Sequence, residues 1–383
     1  MEWWQLTLGI VVGLLLLMFI VLVHELGHAF AARRNKVVVE EFGLGFPPRA
    51  KALGKNKDTL ITLNWLPIGG FCKLKGENDA SNGKGTYGAA NFWGKTQILL
   101  SGVVANILLA VVIFSILSLF GMPKVVENQF TMPGDTHIVR SPVQIINSPD
   151  RESPAGQAGL RQGDEIISIN DEELTDSTSL PKITEQNKGK TVTIKYSREG
   201  ENFQEDVKLR DEPNGGYLGI SVGQSETFRA TWSAPIVGAA NTSQFMWWAL
   251  SGLGDLVGNV VSGVAGMVSF NETTREDAQV NLSKAGDSVS GPIGILGVVF
   301  PNAMMNGPVQ LVFISGIISL TLAIMNLLPI PGLDGGRWLL TIIFRLMKKP
   351  LTEELESKIN GIGMLFLFSL IILITVLDIS KLW

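Results

Sequence analysis

His24, Glu25 and His28 lie in the stretch VLVHELGHAF, residues 21–30, at the end of a long apolar run. On a helix, positions i and i+4 share a face, so the two imidazoles can grip one divalent ion. Glu25, about 100° further round, reaches a water held on that ion. Two histidines on zinc with a carboxylate base beside them form an arrangement for turning water against an amide carbonyl. H-E-x-x-H also arises by chance, and here the setting decides. The chain has 3 histidines, and two of them are in this stretch. Ionisable groups at membrane depth carry an insertion cost of about 2.5–3.5 kcal/mol each, so their presence there calls for a function.

A catalytic zinc keeps three protein ligands and one open position. His137, Asp255, Asp334 and Asp378 are the candidates for the third, and the elements that carry them must choose. Residues 6–23, 98–120, 309–331 and 361–377 are apolar over membrane-spanning length, the last continuing a helix that begins near Thr352. Residues 234–270 are apolar but rich in Gly, Ser and Asn, with Trp247 and Trp248 near the middle. Trp favours the membrane–water interface, so interfacial helices are predicted there, with a fifth span as the alternative. Eleven Lys and Arg residues fall between Arg33 and Lys95, and five more follow the third span, at Arg337, Arg345, Lys348, Lys349 and Lys358. The first five residues carry none. Both basic loops are therefore expected in the cytoplasm, with the N-terminus, the C-terminus and the segment between spans two and three outside. His24 and His28 then lie near the cytoplasmic end of span one. His137 and Asp255 fall on the outer side, and Asp378 ends a span that exits outward. Asp334, in NLLPIPGLDGGR at the inward end of span three, alone matches the depth of the histidines. Pro329 and Pro331 break the helix before it, and Gly332, Gly335 and Gly336 let backbones approach.

The rest of the composition narrows the class. A net charge of −4 without a basic stripe argues against a nucleic-acid partner. The chain is 46% apolar with a mean hydropathy of +0.27, so the lipid bilayer is a partner. The first span lacks a basic n-region and a small-residue cleavage site, so it is expected to stay in the mature protein. Cys72, the single cysteine, excludes an intramolecular disulfide and reads as a small, partly buried side chain.

HELGH in the first span and NLLPIPGLDGG in a late one resemble the site-2 protease family of intramembrane zinc metalloproteases. PIGGFCKLKGEND (67–79), SGVVANILLA (101–110), SPAGQAGLRQGDEIISIN (153–170) and SGPIGILG (290–297) extend the likeness along nearly the whole chain. The resemblance implies Zn2+ on His24, His28 and Asp334, with Glu25 as catalytic base. It also implies that Asn326 and Pro329 shape the site, Asn326 holding the substrate backbone or the oxyanion. A helix–helix hydrogen bond is the other reading of Asn326. Asn106 has the same two readings, and packing is favoured for it.

The stretch TLITLNWLPIGGFCKLK (59–75) alternates loosely around P-I-G-G, as in a hairpin. The family has a membrane-re-entrant β-loop at this place. Its edge, with Gly69 and Gly70, would pair with an extended substrate, because a peptide inside a helix must be unwound before it is cut. Residues 125–229 are charged and read as a soluble domain of roughly a hundred residues. SPAGQAGLRQGDEIISIN looks like a PDZ core, with a short helix at 154–158 and a strand at 165–169. TVTIKYSREG and ENFQEDVKL make a further hairpin. Residues 215–222 resemble the family's peptide-binding loop and strand, placed last by circular permutation, with Tyr217, Leu218, Gly219 and Ile220 facing a groove for peptide C-termini. One such domain is present, where some bacterial members carry two in tandem.

The predicted architecture is therefore an α-helical polytopic membrane protein of about four transmembrane helices. A first half of the protease core spans 1–122, a circularly permuted extracytoplasmic PDZ domain 123–229, interfacial helices 230–306 and the second half of the core 307–383. Its predicted function is regulated cleavage of single-span membrane proteins after a first cut outside, in the cytoplasmic (inner) membrane. Two other functions use the same residues. A catalytically inactive PDZ adaptor would have lost a member of the set His24, Glu25, His28 and Asp334. A metal transporter would place its site at midplane between internal repeats, and no repeat is present.

Overall fold

A computed structural model describes residues 2–382 except Asp79, Glu127, 213–215, Phe270 and Ser288. Asp79, Gly215 and Phe270, which end three of the stretches above, thus lie outside the described residues. The chain divides into two compact units, Met1–Phe120 with Trp232–Trp383, and Gly121–Thr231.

The larger unit contains α1 (Trp3–Arg34), β1 (Val39–Asn56), β2 (Thr59–Leu74) and α2 (Phe92–Phe120) before the insertion. Among the described residues four helices are long and apolar enough to cross a membrane. These are α1, α2, Pro308–Leu327 and Glu353–Ser380. Large apolar side chains such as Leu8, Leu15 and Phe19 on α1 and Val104, Leu108 and Val112 on α2 stay exposed, as helices surrounded by lipid require. The chain is thus a multi-pass membrane protein. The third such helix ends at Leu327, earlier than the apolar run does, because Pro329 and Pro331 cannot extend it.

The hairpin is larger than the sequence pattern suggested. Residues 59–74 do not fold on themselves around P-I-G-G. They pair with β1, a partner that composition did not reveal. Leu60–Leu63 pair with Glu41–Leu44 on one side and with Lys51–Lys55 on the other, while Gly70–Leu74 pair with the second edge of Val39–Leu44. Gly45 (φ +79°) and Gly69 (φ +85°) supply the left-handed bends that fold the two strands back.

Helices pack by small residues, the means available where lipid removes the hydrophobic drive. A Cβ on Gly27 of α1 would lie 2.5 Å from the Ser101 carbonyl of α2. Gly9 and Gly13 receive Pro301 and Phe300 in the same way. At the end of the bundle away from His28, Phe114, Phe245 and Phe313 pack with centroids 5.1–5.8 Å apart. The region after the insertion is one long helix, Ala234–Met267, followed by Glu272–Asp287. Gly263 and Gly266 of the first press against Leu282 and Ala278 of the second. The first of the two is not among the membrane-crossing helices.

The unit Gly121–Thr231 is antiparallel throughout. Val222–Gly223, Val143–Ile145, Glu165–Ile169, Thr191–Arg198 and Glu201–Lys208 form one sheet in that order, and Glu172–Glu173 pairs with Glu165–Ile169. Val192, Ile194 and Tyr196 alternate into a core with Val143, Ile145, Ile166 and Ile169, while polar residues face out. Two short helices, Pro154–Gln157 and Ser179–Gln186, flank the sheet. A second sheet orders Met122–Pro123, Glu226–Arg229 and His137–Arg140. In it Glu226 pairs with Lys124 and Arg140, and these two cations hold its carboxyl below the usual range. A carboxylate lowered in this way stabilises the fold above its ordinary pKa, and that contribution is lost as pH falls through the lowered value. Glu226→Gln is therefore expected to speed hydrogen exchange in residues 137–140 and 226–229 about two- to five-fold at pH 7. The two proteins should converge as pH falls through that lowered value.

Candidate metal centre

Three donor atoms meet where α1 and α2 cross. His24 Nε2 lies 3.1 Å from Asp334 Oδ2, His28 Nε2 lies 3.1 Å from the same oxygen, and the two Nε2 atoms are 3.1 Å apart. Among the described residues this is the one group of three metal-ligating side chains so close together. Ligands about 2.05 Å from a tetrahedral zinc stand about 3.3 Å from one another, so the triangle matches one zinc ion to within a few tenths of an ångström. The donor set, two imidazoles and a carboxylate, suits zinc chemically.

Each donor is set by its element. His24 and His28 are one turn apart on α1. His28 Nδ1 lies 2.8 Å from the Ile98 carbonyl of α2. A carbonyl only accepts, so Nδ1 carries the hydrogen and Nε2 presents its lone pair to the centre. Gly102, one turn further along α2, has no side chain because there is no room for one. A Cβ there would lie 2.5 Å from His28 Nε2 and 2.6 Å from His24 Nε2. Asp334 opens the helix Asp334–Leu346 after a tight reversal. Gly332 adopts φ +96° and donates its N–H to Asn360 Oδ1 at 3.3 Å. Cβ atoms on Gly335 and Gly336 would collide with the carbonyls of Leu327 and Ile330. One turn on, Arg337 donates to the Glu77 carbonyl at 2.8 Å and stands 3.7 Å from Glu356, tying this helix to the loop after β2 and to the last helix.

Glu25 faces β2. A Cβ on Gly70 would lie 3.7 Å from Glu25 Cγ, and the backbone N–H of Cys72 donates to the Glu25 carboxylate. Gly69, with φ +85°, turns the strand beside Phe46. The Cys72 side chain itself is half-buried in β2. Asn326 donates its amide to Leu322 of its own helix at 3.0 Å, and Pro329 is exposed in the break that follows. The other candidate ligands lie elsewhere. His137 and Asp255 are exposed. Asp378 is buried and accepts the N–H groups of Gly291 at 3.1 Å and Gly294 at 2.8 Å, capping the helix that begins at Pro292. In the other unit Tyr217, Leu218, Gly219 and Ile220 line a cavity of about 340 Å³ with Leu180, Pro181, Thr184, Glu185 and Gly216. Of the loop and strand expected over 215–222, the strand is Val222–Gly223 among the described residues. Sequence reasoning passed over Ile98 and Gly102. The signal was a glycine and an asparagine one turn apart, Gly102 and Asn106, in a span without charge.

A His–His–Asp cluster beside a glutamate, in a multi-pass membrane protein, offers the donors of a metal site with a carboxylate next to it. Comparison with known proteins gives the family. Residues 12–370 match the model of peptidase family M50, and the chain belongs to that family, the site-2 proteases. It is an intramembrane zinc metalloprotease. A protein of Nostoc sp. assigned by name as a zinc metalloprotease is 28% identical over 389 residues, covering 98% of this chain and 97% of its own. The regulator of sigma-W protease RasP of Bacillus subtilis is 24% identical over 449 residues, covering 95% and 96%. The PDZ domain of an SdrC-like protein from Listeria monocytogenes is 25% identical over 24% of this chain and 93% of its own, with a TM-score of 0.19.

The lack of space at Gly102 gives a direct test. Gly102→Ala places a methyl group against both Nε2 atoms, so the purified variant should lose most of its zinc and at least about 100-fold in peptide cleavage. Metal content by atomic emission, beside a cleavage assay, checks both.

Proposed function

We propose that His24, His28 and Asp334 are the zinc ligands and Glu25 the general base of a protease that cuts single-span membrane proteins after a first cut on the outer side. The observation that carries this reading is the 3.1 Å triangle of donor atoms at the buried crossing of α1 and α2. Zinc held there supplies Lewis acidity, making water nucleophilic near neutral pH and polarising the scissile carbonyl. Glu25 takes the proton of the attacking water and returns it to the leaving amide nitrogen. Cys72 N–H orients the carboxylate for both transfers. Asn326 binds the substrate backbone or the oxyanion, and Pro329 keeps the chain open beside it.

The substrate reaches this base in extended form. Gly70–Leu74 pair with β1 on one edge only, and among the described residues no strand pairs with the other. Cys72 N–H on that edge points to Glu25, so a peptide added as the next strand would run past the catalytic carboxylate. Gly69 and Gly70 keep the edge free of side chains. We read the hairpin as re-entrant from the cytoplasmic side, a reading the eleven basic residues between Arg33 and Lys95 support. The unit Gly121–Thr231 then lies outside the cell membrane, together with both termini. We read its groove between residues 216–220 and the helix Ser179–Gln186 as the peptide groove of a circularly permuted PDZ domain. It takes a C-terminus left by the first cut or excludes uncut substrates by size. The Bacillus relative is named for regulating sigma-W, which supports a regulatory, anti-sigma-like substrate, with signal-peptide remnants as the other small class.

Glu25→Gln separates chemistry from metal binding. The variant should keep its zinc and lose about 100- to 10,000-fold in cleavage of a pre-trimmed single-span substrate. His24→Ala and Asp334→Ala should lose both. Zinc in the native protein and in Glu25→Gln, with equal cleavage by the two, would remove Glu25 from the mechanism. Cleavage by neither, across a panel of trimmed substrates, would favour an adaptor or a transporter.

A further inference from the structure

We infer that Asn106 is a positioning residue for the metal centre, its side-chain oxygen accepting the Nδ1 hydrogen of His24 and so fixing the tautomer in which Nε2 faces the metal. The inference rests on the ligand set proposed above.

Asn106 is fully buried in α2, one turn beyond Gly102. Its Nδ2 lies 3.5 Å from His24 Nδ1, and its Oδ1 has no hydrogen-bond partner. That pairing fails once His24 is a ligand. Nε2 must then carry a lone pair, so Nδ1 carries a hydrogen, and two donors would face each other. An amide is nearly the same shape after a half-turn that exchanges its oxygen and nitrogen. The half-turn brings Oδ1 to the Nδ1 hydrogen and relieves the orphaned oxygen in one step. Both imidazoles are then held alike, His28 by the Ile98 carbonyl and His24 by the Asn106 amide oxygen, two acceptors two turns apart on the same helix. The backbone carbonyl of Asn106 accepts from Ser319 Oγ at 3.0 Å, which ties this part of α2 to the helix Pro308–Leu327. An asparagine placed only for packing would gain nothing from an acceptor aimed at a ring nitrogen.

The test uses the full-length native protein, His24→Ala, Asn106→Leu and Asn106→Asp in detergent. Zinc affinity is read by competition with a chromophoric chelator, and the ligand field by the visible absorption of the Co2+-loaded form. Asn106→Leu keeps the volume and removes the acceptor. It should weaken zinc about 10- to 100-fold and shift the cobalt bands. Asn106→Asp keeps an acceptor oxygen and should hold zinc within about threefold of native. The inference is overturned if Asn106→Leu binds zinc within about twofold of native, or if Asn106→Asp is as weak as Asn106→Leu. Should Asn106→Leu fail to fold, Asn106→Asp decides, since a tenfold loss there overturns the need for an acceptor. Native zinc that survives His24→Ala would overturn the ligand set itself, a different result from failure at Asn106 alone.

Discussion

Everything at the centre depends on how closely α1 and α2 approach. Two imidazoles and a carboxylate cannot stay in an apolar setting unless each is paired or bound to metal, and their partners must come from another helix. Gly27 against the Ser101 carbonyl, and Gly102 against both imidazoles, bring α2 near enough to act through its backbone. The Ile98 carbonyl can then reach His28 Nδ1. With a larger residue at either glycine the helices would stand apart, and the ring nitrogens would lose the acceptors that set their tautomers.

The same economy of side chains governs the other half of the core. The chain must leave the helix Pro308–Leu327, reverse, and begin a new helix at Asp334 within a few residues. The prolines end the first helix, and Gly335 and Gly336 fit where Leu327 and Ile330 present their carbonyls. Gly363 of the last helix is pressed against Pro331 in the same manner. Arg337 then fastens the new helix to the loop after β2 and to Glu356, so the carboxylate at its first residue is held from two sides. Glu25, the residue after His24 on α1, meets β2 instead. The centre is thus enclosed by two helices, a broken helix and a strand edge.

Much of this was legible in the sequence for physical reasons. The four membrane-crossing helices announce themselves because lipid demands long uncharged runs. His24, His28 and Asp334 stand out because charge beside long apolar runs is rare, and the topology expected from the basic loops sets Asp334 apart from Asp255 and Asp378. What escaped was carried by residues without chemical character. β1 has no clean alternation, since residues such as Gly45, Pro47, Pro48 and Gly54 interrupt it, so the second half of the folded sheet was invisible and 59–75 was read as a hairpin on its own. A backbone carbonyl such as that of Ile98 has no sequence signature at all. Asn106 was visible, but a lone amide in a span reads equally as packing until its neighbour is known.

The donors also differ in when they exist. His24 and Asp334 are 310 residues apart along the chain. During synthesis the two imidazoles enter the membrane first, and the carboxylate that completes the triangle follows only after both the inserted unit and the helix Pro308–Leu327 have been made. A growing chain therefore carries an open, two-donor site for most of its length.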